Sequence, residues 1–272
     1  MSIFEEKIIE ISSTANQKLK DIAKLVKDGK DRRRSGLLIV DGKREIEEAL
    51  KSSWLIKEFF YCEEFDKDNS EIENFFAKAQ RSYKLTNKAF EKISYKKNPD
   101  GYLAVFEEKF LKLKDVMLKK SPLVLVLESV EKPGNLGAII RTAYASGVDL
   151  IILNDQKTDI YSPNVIRSST GFIFSMPLVL SSAKETFLWL KKNDFKIFVT
   201  TLEGEKSHFE VDFKKASAII FGTESFGISK DWKIKEVENI RIPMIKGVDS
   251  LNVSVSAGIV IYEALRQRRK IK

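Results

Sequence analysis

The sequence predicts an α/β protein whose C-terminal half contains a parallel β-sheet covered by helices on both faces. Short runs such as PLVLVLESV (122–130) and DLIILN (149–154) are apolar throughout, which is typical of strands buried on both faces. Helical patterns separate these runs, and parallel strands need such crossover connections. Polar or glycine-rich residues follow several of the runs, at the edge where open parallel sheets bind their ligands.

The N-terminal part of the chain predicts a second, smaller α/β domain. Residues 16–36 indicate a basic amphipathic helix followed by a turn. Its charged side chains are predicted to face solvent: Lys18, Lys20, Lys24, Lys27, Arg32, Arg33 and Arg34. This basic face is either an ordinary solvated surface or a patch that contacts phosphates. The other predicted elements are strands at 37–42 and 56–64, helices at 43–53 and 70–81, and a turn followed by a strand within 95–108.

A charged segment separates the two predicted domains. Residues 109–121 are rich in lysine and are followed by Pro122, so we predict a linker there, with domains at 1–108 and 122–272. The elements predicted after the linker are strands at 122–130, 149–154, 195–202, 216–222 and 240–245 and helices at 136–147, 162–171 and 254–270.

Composition excludes several classes of protein. The chain has 272 residues and a formal net charge of +8, so an anionic partner such as nucleic acid is plausible. Cys62 is the only cysteine and His208 the only histidine, which excludes an intramolecular disulfide, a cysteine-based zinc site and HExxH chemistry. We therefore predict no metal. No apolar stretch approaches the ~20 residues of a membrane span, and the acidic N-terminus is not a signal peptide. We expect a cytoplasmic protein without membrane contact.

The helix at 136–147 carries one arginine, Arg141, among small and apolar residues. Gly137, Ala138 and Ala145 lie at helical spacing from it and have almost no side chain. An arginine in this setting either extends to solvent or binds a partner from outside the helix.

Four polar or glycine-rich clusters follow predicted strands. They are ESVEKPGNLG (128–137), VTTLEG (199–204), FGTESFGIS (221–229) and IPMIKGVDSLN (242–252). None contains the GxGxxG or GxxxxGK[ST] phosphate-binding pattern, so the common nucleotide-binding parallel sheets are not supported. A nucleophilic triad is hard to build because His208 lies outside every cluster.

Three segments together resemble, in order and spacing, the signature motifs of the SpoU/TrmH family of RNA ribose 2′-O-methyltransferases, which are of the SPOUT class. They are NLGAIIRTAYASGVD, FGTESFGIS and IPMIKGVDSLNVSVSAGIVIYEALRQR. The segment from Ile11 to Leu50 also resembles the substrate-binding domain, related to a ribosomal protein fold, of rRNA-modifying members and of the thiostrepton-resistance branch.

The resemblance implies a deep trefoil knot in the C-terminal domain, an exception to the rule that folds avoid threading. It also implies an S-adenosylmethionine (AdoMet) pocket at the knot, lined by Leu202, Gly222, Ile242 and Leu251. Backbone groups do most of the binding there, which explains glycines in the second motif.

By motif match, the resemblance implies catalytic roles for Asn135, Arg141, Glu224, Ser250 and Asn252. The family's usual proposal makes the arginine a general base. A guanidinium has a pKa above 12, so an electrostatic role on a phosphate or on the 2′-oxygen is physically easier. Singly, Asn135 is also explained as the N-cap of the helix beginning at Leu136, and either Ser250 or Asn252 as the N-cap of the last helix. The motif departs from the family at Thr223 and Ser225, where asparagine and glycine are common.

The combined reading is an AdoMet-dependent ribose 2′-O-methyltransferase acting on RNA. Ribosomal RNA is favoured over tRNA because minimal tRNA-acting relatives often lack the N-terminal domain. The resemblance also implies a homodimer with its active site near the dimer interface. The alternatives are a tRNA 2′-O-methyltransferase and a non-catalytic RNA-binding protein of ribosome assembly.

Overall fold

The computed structural model describes residues 8–66, 72–222, 227–232 and 236–269. Contacts between these residues divide the chain into two units. Unit 1 takes in the described residues up to 109 together with 159–175, and unit 2 takes in 110–158 and the described residues from 176 onward. The domain boundaries predicted at 108 and 122 stay predictions.

Unit 1 is built on a five-stranded mixed sheet with the order β1-β4-β3-β5-β2. Strands β1, β4 and β3 are mutually parallel, while β5 is antiparallel to both β3 and β2. The strands are β1 (Ile8–Ile11), β2 (Leu37–Asp41), β3 (Ile56–Tyr61), β4 (Ala79–Leu85) and β5 (Tyr102–Glu107). The helices of this unit are α1 (Gln17–Lys27), α2 (Gly29–Ser35), α3 (Lys43–Lys51), α4 (Ile72–Lys78), α5 (Asn87–Ile93) and α7 (Pro163–Ser168).

Strand β4 replaces part of a helix that the sequence predicts at 70–81. The helix α4 ends at Lys78 and the chain continues at once as β4. Tyr83 and Leu85 are both buried and alternate along the strand, which pairs with β1 on one side and β3 on the other. Pairing on both sides outweighs the helical propensity of the preceding residues.

Arg32 does not face solvent, so that part of the prediction is wrong. Its side chain is 4% exposed and forms an ion pair with Asp159 at 2.6 Å. A second nitrogen, Nη1, donates to the carbonyl oxygens of Leu25 and Val26 near the end of α1. Burial of a guanidinium is tolerated here because its donors meet acceptors on two sides.

Unit 2 contains a seven-stranded sheet with the order β10-β12-β9-β11-β6-β7-β8. Every strand pair in it is parallel, as the apolar runs predict. The strands are β6 (Leu123–Glu128), β7 (Leu150–Asn154), β8 (Leu178–Ser181), β9 (Lys196–Thr200), β10 (Lys206–Ser207), β11 (Ser217–Phe221) and β12 (Glu238–Arg241). The helices are α6 (Pro133–Ser146), α8 (Ala183–Lys192) and α9 (Val253–Arg268).

The core of unit 2 lies on the sheet, and the segment predicted as a linker packs against it. Its apolar side chains Leu111, Leu113, Val116 and Leu118 contact the buried cluster that includes Val124 and Ile152. Strand β12 ends at Arg241 although the sequence predicts a strand through 245. Pro243 follows after one intervening residue, and proline cannot donate a hydrogen bond to a neighbouring strand.

Helix α9 is held at its C-terminal end by Arg268. The guanidinium of Arg268 donates to the backbone carbonyls of Ser121, Pro122, Phe213 and Lys215 at 2.6–3.2 Å. Burial lowers the pKa of this arginine. The basic end of α9 thus contains at least one residue with a structural task. Within the described ranges, no helix is both long and apolar enough to cross a bilayer.

Candidate active site

Three of the four predicted cofactor-binding residues lie where neighbouring strands of unit 2 end. Strands β12, β9 and β11 are adjacent and parallel, so their carboxyl ends lie side by side at one edge of the sheet. Gly222 and Ile242 directly follow β11 and β12, and Leu202 follows β9 after one intervening residue. The Thr200 hydroxyl donates to the Ile220 carbonyl at 2.9 Å and so ties two of these ends together. This is the edge at which open parallel sheets bind ligands.

Asn135 and Asn252 meet through a hydrogen bond between their side chains. The Nδ2 atom of Asn252 donates to Oδ1 of Asn135 at 3.1 Å, across 117 residues of chain. Asn135 lies inside α6, which begins at Pro133 and is preceded by Lys132 as its N-cap. The alternative that Asn135 caps this helix is therefore wrong.

Asn252 is the N-cap of α9, as that alternative predicts. Its Oδ1 accepts from the backbone N–H of Ser254 at 2.9 Å and from the Ser254 hydroxyl at 2.6 Å. Because an amide has a separate donor and acceptor, the cap leaves its nitrogen available for Asn135. Ser250 and Leu251 directly precede this cap, and both are exposed. The third motif therefore reaches the start of α6 through its capping residue.

Arg141 is exposed on α6, further along the same helix as Asn135. No residue in the described ranges forms a hydrogen bond or an ion pair with its guanidinium. The next residue, Thr142, faces α9, where a Cβ added at Gly258 would lie 3.9 Å from its methyl group. Helix α6 therefore packs on α9 beside Arg141, and none of the described residues occupies the donors of the arginine.

Gly222, at the end of β11, lies against Gly227 and Ile228. A Cβ added at Gly222 would overlap the carbonyl oxygen of Gly227, and it would lie 2.9 Å from Cδ1 of Ile228. Gly227 has φ +66°, in the left-handed region that favours glycine. Glu224, the predicted acidic residue of this loop, lies outside the described residues, as do Thr223 and Ser225.

Sequence reasoning missed three residues that hold these loops. Glu128 ends β6, is 3% exposed and accepts from the Ser229 backbone N–H at 2.9 Å. Arg241 ends β12 and donates to the carbonyls of Gly204 and Glu205 at 2.5 and 3.2 Å. A Cβ at Gly204 would lie 2.5 Å from the carbonyl carbon of Ile240, so only glycine fits there. The signal for Glu128 was present, since an acid closes an otherwise apolar buried strand.

The described residues contain no group of three or more His, Cys, Asp or Glu side chains that could hold a metal ion. The charged residues discussed so far at this edge are Arg141, Arg241 and the buried Glu128. The arrangement can bind an anionic or hydroxyl-bearing partner through Arg141 and can present backbone groups at the strand ends.

Two family models match the chain. One is the SpoU rRNA methylase family, over residues 122–262, and the other is an MRM3-like substrate-binding domain, over residues 16–104. The chain is 30% identical over 253 residues to the 23S rRNA (guanosine(2553)-2′-O)-methyltransferase RlmP of Bacillus subtilis, covering 93% of this chain and 98% of the relative.

Solved structures agree with this assignment. An AdoMet-bound rRNA methyltransferase from Sinorhizobium meliloti superposes with a TM-score of 0.89 at 27% identity, covering 97% of this chain and all of that one. The SpoU methyltransferase AviRb of Streptomyces viridochromogenes, in complex with AdoMet, gives 0.83 at 26% identity, covering 93% of this chain and 99% of its own. The fold, the motif positions and these matches together show that the chain belongs to the SpoU methylase family.

Proposed function

We propose that this protein is an AdoMet-dependent methyltransferase that modifies a ribose 2′-hydroxyl of ribosomal RNA, in the large subunit. The observation that carries the proposal is the hydrogen bond that Asn252 makes with Asn135 on α6, the helix whose exposed Arg141 has no hydrogen-bonding or ionic partner among the described residues. Relatives that span almost the whole chain are named as 23S rRNA 2′-O-methyltransferases. The proposal implies a cytoplasmic location, where the substrate is.

The residues at the sheet edge fit AdoMet. Three adjacent strand ends present backbone donors and acceptors, and the contact of Gly222 with Gly227 leaves no room for a side chain. We assign Leu202, Gly222, Ile242 and Leu251 to this pocket. When bound there, AdoMet supplies a methyl carbon that its positive sulfur already activates.

The protein's own task is then to place the 2′-hydroxyl and to help it lose its proton. We assign to Arg141 the stabilisation of negative charge on the 2′-oxygen or an adjacent phosphate, because a guanidinium stays charged and offers several fixed donors. Asn135 and Asn252 orient the ends of α6 and α9 around this arginine. We keep Ser250 and Glu224 as proposed members of the site through their motif positions.

The proposal also includes the RNA as a partner of unit 1. Lys20, Lys24, Lys27 and Arg33 on α1 and α2 are exposed, and the residues of these two helices include only two acids, Asp21 and Asp31. An exposed cationic face of this kind gains affinity for phosphates by releasing counterions. A relation to a ribosomal protein fold remains part of this proposal.

We further propose that unit 2 contains the family's knot. Strand β12 is separated from β6 by β9 and β11, yet the chain after β12 reaches Asn135 just beyond β6 at Asn252. A segment that crosses the carboxyl edge in this way is what a threaded C-terminus requires.

A homodimer completes the proposal, and its prediction is a dimer mass in dilute solution. Tyr144 on α6 and Val255 and Tyr262 on α9 are apolar or aromatic and between 41 and 53% exposed, which suits burial against a second copy. Light scattering at assay concentration measures the mass. A fully active monomer would rule the dimer out.

Replacing Gly222 with alanine tests the cofactor pocket. The new methyl group would overlap the Gly227 carbonyl, so the loop must move, and we expect AdoMet affinity to fall by at least about tenfold, or about 1.4 kcal/mol. Calorimetry with AdoMet measures this. Gly134→Ala is the matched control, since a Cβ there meets nothing within 4 Å. Equal affinity in both variants would show that this loop does not form the pocket.

The decisive experiment for the function uses labelled AdoMet and total RNA from cells that lack the gene. We expect label in ribose of large-subunit rRNA. Label in tRNA would change the substrate class. Cofactor binding without label on free RNA would direct the same assay to ribosomal particles, and absence of cofactor binding would leave a non-catalytic RNA-binding protein.

A further inference from the structure

Glu128 occupies an unusual position for a carboxylate. It is the last residue of β6, an interior strand of the seven-stranded sheet between β11 and β7, and it is 3% exposed. A buried carboxylate is costly unless hydrogen bonds compensate it. In the part of the chain that the structure describes, its Oε2 accepts one hydrogen bond, from the Ser229 backbone N–H at 2.9 Å. Its Oε1 is buried and has no partner there.

The strand register places Glu128 beside the loop of the second motif. Leu127 of β6 pairs with Phe221 of β11, so Glu128 and Gly222 are the next residues of two adjacent parallel strands. Gly222 in turn touches the backbone of Gly227 and the side chain of Ile228. The carboxylate therefore holds the returning arm of the loop, at Ser229, against the strand end from which the loop departs.

We infer that Glu128 is a positioning residue for AdoMet binding: through the Ser229 N–H it holds the segment 227–229 against the end of β11 at Gly222. This inference rests on the proposed function. It assigns no contact between Glu128 and the cofactor or the RNA. An apolar residue at this strand end would fill the same volume at lower desolvation cost but would leave the loop without its acceptor.

The test compares three substitutions of Glu128, which differ in whether they leave an acceptor oxygen within reach of the Ser229 N–H. Glu128→Ala removes the acceptor, and we expect the AdoMet dissociation constant to rise by at least about tenfold. Glu128→Gln keeps an oxygen at the same reach and should restore affinity to within about threefold of the original. Glu128→Asp keeps the charge but shortens the side chain, so its affinity should fall. Calorimetry measures the affinity for AdoMet, and a separate titration measures the affinity for RNA. The affinity for RNA should not change in any of the three variants.

Asn154→Ala is the matched control at the same sheet edge. Asn154 is the register partner of Glu128 on β7, is fully buried and donates to Ser181 and Thr186. Its loss should lower the melting temperature without changing AdoMet affinity, because its hydrogen bonds lie on the opposite side of β6 from the loop. Equal weakening by this control would reduce Glu128 to a general stabilising residue.

Other outcomes also decide the inference. Normal AdoMet affinity in Glu128→Ala overturns it, and so does a Gln variant as weak as the Ala variant. If the Ala variant does not fold, the test compares the other two variants. Glu128→Gln should then bind AdoMet more tightly than Glu128→Asp, and the opposite order overturns the inference. A parent protein that binds no AdoMet would instead contradict the proposed function, which separates the two failures.

Discussion

Arg141→Ala should lower the rate constant of methyl transfer by about 10²- to 10³-fold, the usual effect of removing one preorganised donor from a site of developing negative charge. The guanidinium has no hydrogen-bonding or ionic partner in the described ranges, so its removal leaves none of the described groups unpaired. We therefore expect a folded protein with the melting temperature of the parent. Single-turnover assays with saturating AdoMet measure the rate constant.

Two comparisons make the Arg141 result specific. Arg266→Ala removes the same charge from an exposed helical position, where the arginine pairs with Glu263 at 2.8 Å, and should leave the rate constant unchanged. Arg141→Lys keeps the charge but loses the planar arrangement of donors, so recovery should be partial. If Arg141→Ala retains full activity, the arginine is an ordinary solvated side chain and the proposed catalytic site is wrong.

Arg32→Ala should destabilise the protein by about 3–5 kcal/mol, the cost of removing one member of a buried ion pair. The substitution leaves Asp159, whose side chain is 14% exposed, without its cation, and it removes the donor to two carbonyls of α1. Removal of Arg32 also affects Glu108. Burial and the Asp159 charge raise the pKa of Glu108, and Arg32 opposes that rise, so the substitution removes a cation that favours the ionised carboxylate. Urea denaturation measures the loss.

Arg33 provides the neighbouring control for Arg32. It is exposed on the same helix, and Arg33→Ala should change the free energy of unfolding by less than about 0.5 kcal/mol. Because Arg33 belongs to the proposed RNA-binding face, its loss should instead weaken RNA binding and reduce the salt dependence of that binding. If Arg32→Ala lowers the free energy of unfolding by less than about 1 kcal/mol, the Arg32–Asp159 ion pair is not a major contributor to stability.

The sequence was sufficient for the regular part of unit 2. Continuous apolar runs predict strands buried on both faces, and the structure confirms the parallel sheet. It was not sufficient at the edges of the sheets. Strand β8 and helix α8, which follow Pro177, were not predicted, and β4 interrupts a predicted helix. Pairing with distant strands decides the conformation of such short segments, because their local sequence pattern is ambiguous.

The candidate site divides in the same way. The motif positions predicted Asn135, Arg141 and Asn252, and the structure brings the two asparagines into contact. Periodicity could not predict that Arg32 is buried while Arg33 is exposed, since its partner Asp159 lies 127 residues away. Nor could it predict Glu128 or Arg241, because their partners are backbone groups of loops that any sequence can supply.

The strand order of unit 2 has a consequence for the timing of folding during synthesis. Strand β6 pairs with β11, which begins at Ser217, and the Asn135–Asn252 contact closes 117 residues of chain. Closing such a long loop costs conformational entropy before the contact contributes any stability, so these contacts form late and slowly. On the ribosome, α6 emerges long before α9 can dock on it. Arg141 therefore acquires its surroundings only after residue 252 has been synthesised, and a nascent chain shorter than that carries the arginine without the site.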